Sequence, residues 1–282
     1  MKRFLIRWLL PFVIATVLAI ILCIFVRNHI FRVSGNAMYP FAVEGNVLKG
    51  EKPDTIHQGD ILLVVNPLDI KREEPRLTLS RCVAMPGEKV QIYHKRLYVN
   101  GVLQSSNYCS FDTRLLLLSA DEKNAAINFY HLVADSVILT PSTYILTEQQ
   151  FNRIKSDSII KIVEQCVTPN YLYDSKLYPF SRQFNYNKDY YGPVIVPSKG
   201  MKINLNAANY LYYKYLFTHG EKVKVEYNNG VYFVDGVKSE TYTFKHDYYF
   251  LLNDYRDQPS DSRTFGPVSE EEIVARITSV IF

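Results

Sequence analysis

The chain predicts a mainly β architecture preceded by one apolar helix, on three observations. It carries 22 tyrosines and 16 phenylalanines, residue types that suit a pleated, half-buried surface. From residue 33 onward its apolar residues come in short runs separated by turn residues. Two segments, "KVQIYHKRLYVNGVL" (89–103) and "KVKVEYNNGVYFVDGVK" (222–238), share a Lys-Val start, a central turn and a Tyr/Phe-Val-x-Gly-Val end.

The helix comes first. "FLIRWLLPFVIATVLAIILCIFV" runs from Phe4 to Val26, and its 19 residues from Trp8 onward carry no charge. At ~1.5 Å per residue that length approaches the ~30 Å of bilayer hydrocarbon. A cleaved leader is the competing reading. The run exceeds the usual leader core of ~7–15 residues, no A-x-A site follows it, and Arg27, Asn28 and His29 lead straight into structured-looking chain. A retained anchor is therefore expected over residues 1–32, including its tip. Lys2, Arg3 and Arg7 precede the span and Arg27 and Arg32 follow it. With the α-amino group this slight excess puts the N-terminus in the cytoplasm and residues 33–282 outside.

"GDILLVV" (59–65) is a continuous apolar run after Gly-Asp, which suits a strand buried on both faces. The two related segments read as similar β-hairpins, each with an Asn-Gly turn signal, although chance similarity is an open alternative. Residues 121–133 and 147–157 read as helical or mixed, and Thr147 with Gln150 fits a capping box. The aromatic, Pro-punctuated stretch 178–200 reads as an extended surface segment ending in a short strand. "NAANYLYYKYLF" (206–217) has apolar residues at helical spacing.

A net charge of +4 with no basic block interleaved with aromatics argues against a nucleic-acid groove. Cys23, Cys82, Cys109 and Cys166 match no CxxC pattern, and six scattered histidines form no HExxH, so no metal site or cofactor is expected. Buried small hydrophobes is the plain reading of the cysteines.

Three boxes carry the chemistry. They are "VSGNAMYP" (33–40), "SRCVAMPGEKV" (80–90) and "LLNDYRDQPSDSRTFGPVSEEEIVARI" (251–277). Together they resemble the type I signal peptidases, peptidase family S26, of the Bacteroidetes kind. The family patterns are S-G-x-S-M-x-P, K-R-x-x-G-x-P-G-D-x-V, and G-D-N-R-D-N-S-x-D-S-R with an aromatic-Gly-x-Val tail. Order and spacing agree over nearly the whole chain. The resemblance implies a signal-peptidase-like β fold with a small mixed α/β insertion at about 105–200. It also implies an inner-membrane location with the C-terminal domain on the periplasmic side.

That family attacks a peptide carbonyl with a serine hydroxyl whose proton passes to a lysine of lowered pKa. The resemblance puts the nucleophile at Ala37 and the base at Ser80, and neither side chain can do that work. Arg81 cannot substitute, since guanidinium does not deprotonate in proteins. Gly35, Met38, Pro40, Arg81, Pro86, Gly87, Asp254, Arg256, Asp261, Ser262 and Arg263 match the patterns and are the expected substrate-binding or structural residues. Phe41, Ala84, Asn253, Tyr255 and Pro259 depart from them. A lone Ser→Ala change would suit an engineered trap, but the missing lysine and Pro259 do not fit one substitution.

The resemblance therefore implies a membrane-anchored homologue without catalysis, partnered by the signal peptides of exported proteins or by an active signal peptidase. The alternative is an active serine endopeptidase rewired around Ser34 or Ser80, with Lys49, Lys52, Lys71 and Lys89 as nearby amines. A third reading is a structural component with side chains packed over Ala37.

Overall fold

The computed structural model describes residues 11–18, 20, 30–69, 76–105, 107–116, 129, 133–134, 143–156 and 162–282. Residues 11–18 and 20 are helical, residues 30–32 of the expected anchor form a strand instead, and the rest of it lies outside the described residues. No described helix is long and apolar enough to cross a membrane. The mixed segment expected at 121–133 also lies almost wholly outside them.

The described strands, numbered β1–β20 along the chain, make a mainly β structure. The largest sheet has the order β1-β2-β20-β3-β4-β18-β19, all antiparallel. Its strands are β1 (Ile30–Arg32), β2 (Val47–Glu51), β3 (Ile61–Val65), β4 (Leu77–Ala84), β18 (Tyr248–Leu252), β19 (Val268–Ser269) and β20 (Ile273–Val280). The run read as a doubly buried strand is β3. Its Leu62 and Val64 pack with Cys82, Leu251 and Phe265 on one face. Ile61 and Leu63 pack with Met38, Leu48 and Ile277 on the other. Alternate residues of a strand point to opposite faces, so an unbroken apolar run is what two covered faces require.

Both related segments fold as three-stranded meanders. The first is β5 (Lys89–Tyr93), β6 (Arg96–Val99) and β7 (Val102–Leu103), joined on its other edge by β12 (Tyr190–Ile195). The second is β14 (Val225–Asn228), β15 (Val231–Val234) and β16 (Val237–Lys238). Their turns at Asn100-Gly101, Asn229-Gly230 and Asp235-Gly236 have positive φ at both central residues. That is the mirror-image turn whose twist matches the strands. The fourth such turn is His94-Lys95, with φ of 51° and 65°, and no sequence signal marked it.

A further sheet, in the order β11-β8-β10-β9, comprises β8 (Ser110–Leu116), β9 (Val133–Ala134), β10 (Thr143–Thr147) and β11 (Ile162–Gln165). Helix α1 (Glu148–Lys155) follows β10 and opens with the expected Thr147–Gln150 capping box. A short pair, β13 (Lys202–Asn204) with β17 (Thr241–Thr243), completes the strands. Helix α2 (Ala207–His219) starts where Asn206 accepts a hydrogen bond from the Asn209 N–H. It buries Tyr212, Tyr213, Leu216 and Phe217.

Residues 178–200 do not follow the surface course expected of them. Tyr178, Tyr186 and Tyr191 are buried in the largest core, with α2 and the first meander. Tyr178 meets Tyr212 edge to face at 5.2 Å, and Tyr186 lies 4.6 Å from Tyr191. Aromatic burial of this size outweighs the local Asn and Pro signals. Beyond α2, Glu221 sits in this core and accepts hydrogen bonds from Tyr242 (2.6 Å), Tyr248 (3.0 Å) and the Lys245 N–H (2.8 Å).

Glu272, just before β20, accepts a hydrogen bond from the Ser269 N–H. Burial pushes its carboxyl up from 4.5 to about 7. A raised carboxyl pKa means the folded state holds the proton more tightly than the unfolded chain. Stability from this group is complete below pH 4.5 and is lost as pH rises through about 7. Glu272→Gln keeps the cap and removes the titration. Unfolding free energies from urea titrations should coincide with wild type at pH 4 and exceed it at pH 8 by about 2–3 kcal/mol.

Candidate functional site

The first box is a turn fixed at both ends. Gly35 has φ of +79°, a conformation that favours glycine. The Asn36 side chain accepts from the Glu44 N–H (3.1 Å), and its carbonyl accepts from the Tyr39 N–H (3.0 Å). Met38 is fully buried among Ile61, Leu63 and Ala275 and pins the turn to the large sheet. Tyr39-Pro40 is a cis peptide, and Pro40 is exposed. Ala37 is half-buried, and its carbonyl accepts from the Tyr255 N–H at 3.0 Å.

The second box is β4 and the turn after it. Ser80 lies opposite Leu62 of β3 and is fully buried. Its hydroxyl donates to Asn253 Oδ1 at 2.7 Å. Arg81 grips Asp254 with two hydrogen bonds, Nε to Oδ1 (2.8 Å) and Nη2 to Oδ2 (2.6 Å). It also stacks over Tyr108 at 4.4 Å. Pro86 and Gly87 form a turn at the far end of the strand, where the Gly87 N–H reaches Val196 O at 2.8 Å. Four residues of strand, Arg81–Ala84, and Met85 separate them from Ser80.

The third box is a loop knotted by buried charge. Asp261 caps helix α3 (Ser262–Phe265) and accepts from the backbone N–H of Asn253 and of Arg263. It also takes both Nε (3.0 Å) and Nη2 (2.7 Å) of Arg263, which is itself 1% exposed. Arg263 Nη1 reaches the carbonyls of Arg256 and Lys188. Ser262 Oγ accepts from the Leu251 N–H. Arg256 Nε points at Cys109 Sγ, 3.2 Å away.

Sequence reasoning passed over Asp257, the seventh residue of this box. It receives Lys95 and Lys188, each at 2.5 Å, and the Asp112 N–H at 2.8 Å. Burial opposes its charge, but the two ammonium groups outweigh burial and hold the carboxyl below its ordinary value. Lys95 is also 3.0 Å from Asp189. Asp257 was visible as a motif match; Lys95, Lys188 and Asp189 carried no sequence signal.

These elements enclose a cleft of about 600 Å3. One wall is Val33–Gly35 with Ala37 and Met38; the other is Leu77–Leu79 of β4 with Gln258, Ser260 and Phe265. β18 pairs with β4 only from Arg81 to Ala84, while Leu77–Leu79 pair with β3 alone among the described residues. The half of β4 facing the cleft thus has an open edge. Gly35, Ala37 and Met38 meet there. Ser80 lies next to it with its hydroxyl turned to Asn253, Arg81 and the matched residues of the third box are held in the hydrogen-bond network described above, and Pro86 and Gly87 lie beyond the other end of β4.

Among the described lining residues there is no lysine and no histidine. Lys49, Lys52 and Lys89 are exposed elsewhere, and Lys71 lies outside the described residues. Ser34 is exposed at the cleft. Burial pushes the Cys82 thiol up to about 12 and raises that of Cys109, so neither offers a ready thiolate. Ala37 is half-buried and lines the cleft.

The family model for "Signal peptidase, peptidase S26" matches residues 5–282. The chain belongs to the signal peptidase family. A relative, "Signal peptidase I V" of Bacillus subtilis (strain 168), is 35% identical over 107 residues, covering 36% of this chain and 56% of that protein. The match thus spans little more than half of the relative's length. The first and third boxes line the cleft, and the second begins at Ser80, one residue beyond the stretch of β4 that lines it.

Removing one partner of a buried ion pair strands the other charge. Asp254→Ala should therefore lower unfolding free energy by about 3 kcal/mol in a urea titration. Arg76→Ala should cost clearly less in the same titration, because its pair with Asp69 is largely exposed on the arginine side.

Proposed function

We propose that this chain is a membrane-anchored, non-cleaving signal peptidase homologue that holds the signal peptide of an exported protein. The single observation carrying the reading is the coexistence of an open cleft with Ala37 and Ser80 at the two dyad places. The free edge of β4 supports it. An extended chain can add to such an edge through backbone hydrogen bonds, which need no nucleophile. The Ala37 N–H remains at the former oxyanion position, where it can receive a peptide carbonyl. Leu68, Leu77, Leu79 and Met38 give the cleft an apolar lining suited to a signal peptide.

The anchor would tether the β domain at the outer face of the inner membrane, where signal peptides emerge. A complex with an active signal peptidase is a second partner the same cleft could serve. Rewired catalysis gains no support. Ser80 is buried and committed to Asn253, and Ser34 has no lysine or histidine beside it among the described lining residues.

The test uses full-length protein in detergent with a labelled preprotein. Expected are saturable binding that competes with the isolated signal peptide, and no cleavage. A bulky substitution on the open edge, Thr78→Trp, should weaken binding at least about tenfold, the loss of ~1.4 kcal/mol. Specific cleavage by protein free of contaminating peptidase would overturn the reading.

A further inference from the structure

We infer that Asn253 occupies the space a base at position 80 would need, so that the Ser80–Asn253 pair keeps the catalytic amine out. This rests on the non-cleaving reading and explains what maintains it. In the family patterns quoted above, position 80 is lysine and position 253 is glycine. This chain has exchanged both, and the two replacements touch. Ser80 Oγ donates to Asn253 Oδ1 at 2.7 Å, and both residues are fully buried.

The contact leaves little freedom. Beside Ser80 on its face of the sheet stand Leu62 and Cys82, each fully buried. The polar direction out of position 80 is toward Asn253. Asn253 is itself held three ways: its N–H donates to Asp261 Oδ2 (2.9 Å), its Nδ2 to Gln258 O (2.8 Å), and its Oδ1 accepts from Ser80. It cannot swing aside without leaving buried polar groups unpaired. A lysine reaches well past a serine hydroxyl, into the volume the carboxamide fills. Close-packed interiors do not absorb such an addition without strain. Even if the chain were accommodated, its ammonium would meet the carboxamide of Asn253 where the family's glycine leaves room.

The pair therefore behaves as a unit. A large residue at 80 needs a small one at 253, and glycine at 253 alone strands the Ser80 hydroxyl. The reversion of Ala37→Ser with Ser80→Lys is then insufficient, and the third change, Asn253→Gly, decides the outcome.

A double-mutant cycle on the otherwise unaltered full-length protein tests this. Ser80→Met supplies a long side chain without charge, which separates exclusion by volume from the cost of a buried amine. Ser80→Met should lower the melting temperature by about 5 °C or more with Asn253 present, and by less than half of that with Asn253→Gly. Equal shifts in the two backgrounds would overturn the inference. The activity arm compares Ala37→Ser/Ser80→Lys with the same protein carrying Asn253→Gly as well. Preprotein cleavage should rise at least about tenfold on adding the third change, or ~1.4 kcal/mol. Equal rates would count against the pair, and a Ser80–Asn253 coupling of zero would settle it. Cleavage by the unaltered protein would instead defeat the non-cleaving reading and leave the measured coupling standing.

Discussion

The carboxylate of Asp261 is the point from which the site is built. It accepts from two backbone N–H groups, on Asn253 and Arg263, and from two nitrogens of the Arg263 guanidinium. Such a buried ion pair is stable only when both partners have their remaining hydrogen-bonding needs met. Here Arg263 spends its other nitrogen on two carbonyls, one of them from Arg256 inside the same loop. The loop between Asn253 and Arg263 is thereby closed on itself. Its closure places Asn253 against Ser80, Asp254 against Arg81 and Tyr255 against the Ala37 carbonyl. Boxes one and two are thus positioned through box three.

A second charge cluster ties this loop to the periphery. Asp257 holds Lys95 from the first meander and Lys188 from the segment leading into β12. Its other oxygen takes the Asp112 N–H from β8. Two sheets are thereby tied to the loop through one residue. The arrangement explains why Lys95 sits at positive φ in a turn without glycine: the ion pairs buried at its side chain reward a conformation the residue would not choose alone.

Much of the fold was legible where local chemistry decides. Asn-Gly announced one turn of each meander, Thr147 and Gln150 announced α1, and the unbroken apolar run of β3 announced two covered faces. The misreading of 178–200 has a physical source as well. Its Asn and Pro residues describe the path of the backbone, whereas Tyr178, Tyr186 and Tyr191 decide where that path lies, by packing against a helix far along the chain. The same division holds at the cleft. Motif spacing located Ala37, Ser80 and the third box, but the contact of Ser80 with Asn253 spans 173 residues and appears only once the chain is folded. The residues that survive best in the boxes are those whose loss would strand a buried charge. A match to the third box therefore reports the fold more faithfully than the reaction.

The two neighbours of β4 differ in reach: β3 accompanies it from Leu77 to Arg81, and β18 joins only at Arg81. The sheet is in effect a seam left unstitched over the first few residues of β4. Whatever completes such a seam is selected first by having an extended backbone of the right length, and only afterwards by its side chains. On the proposed reading, the edge would favour a segment whose own backbone groups are unpaired over one whose groups are already paired.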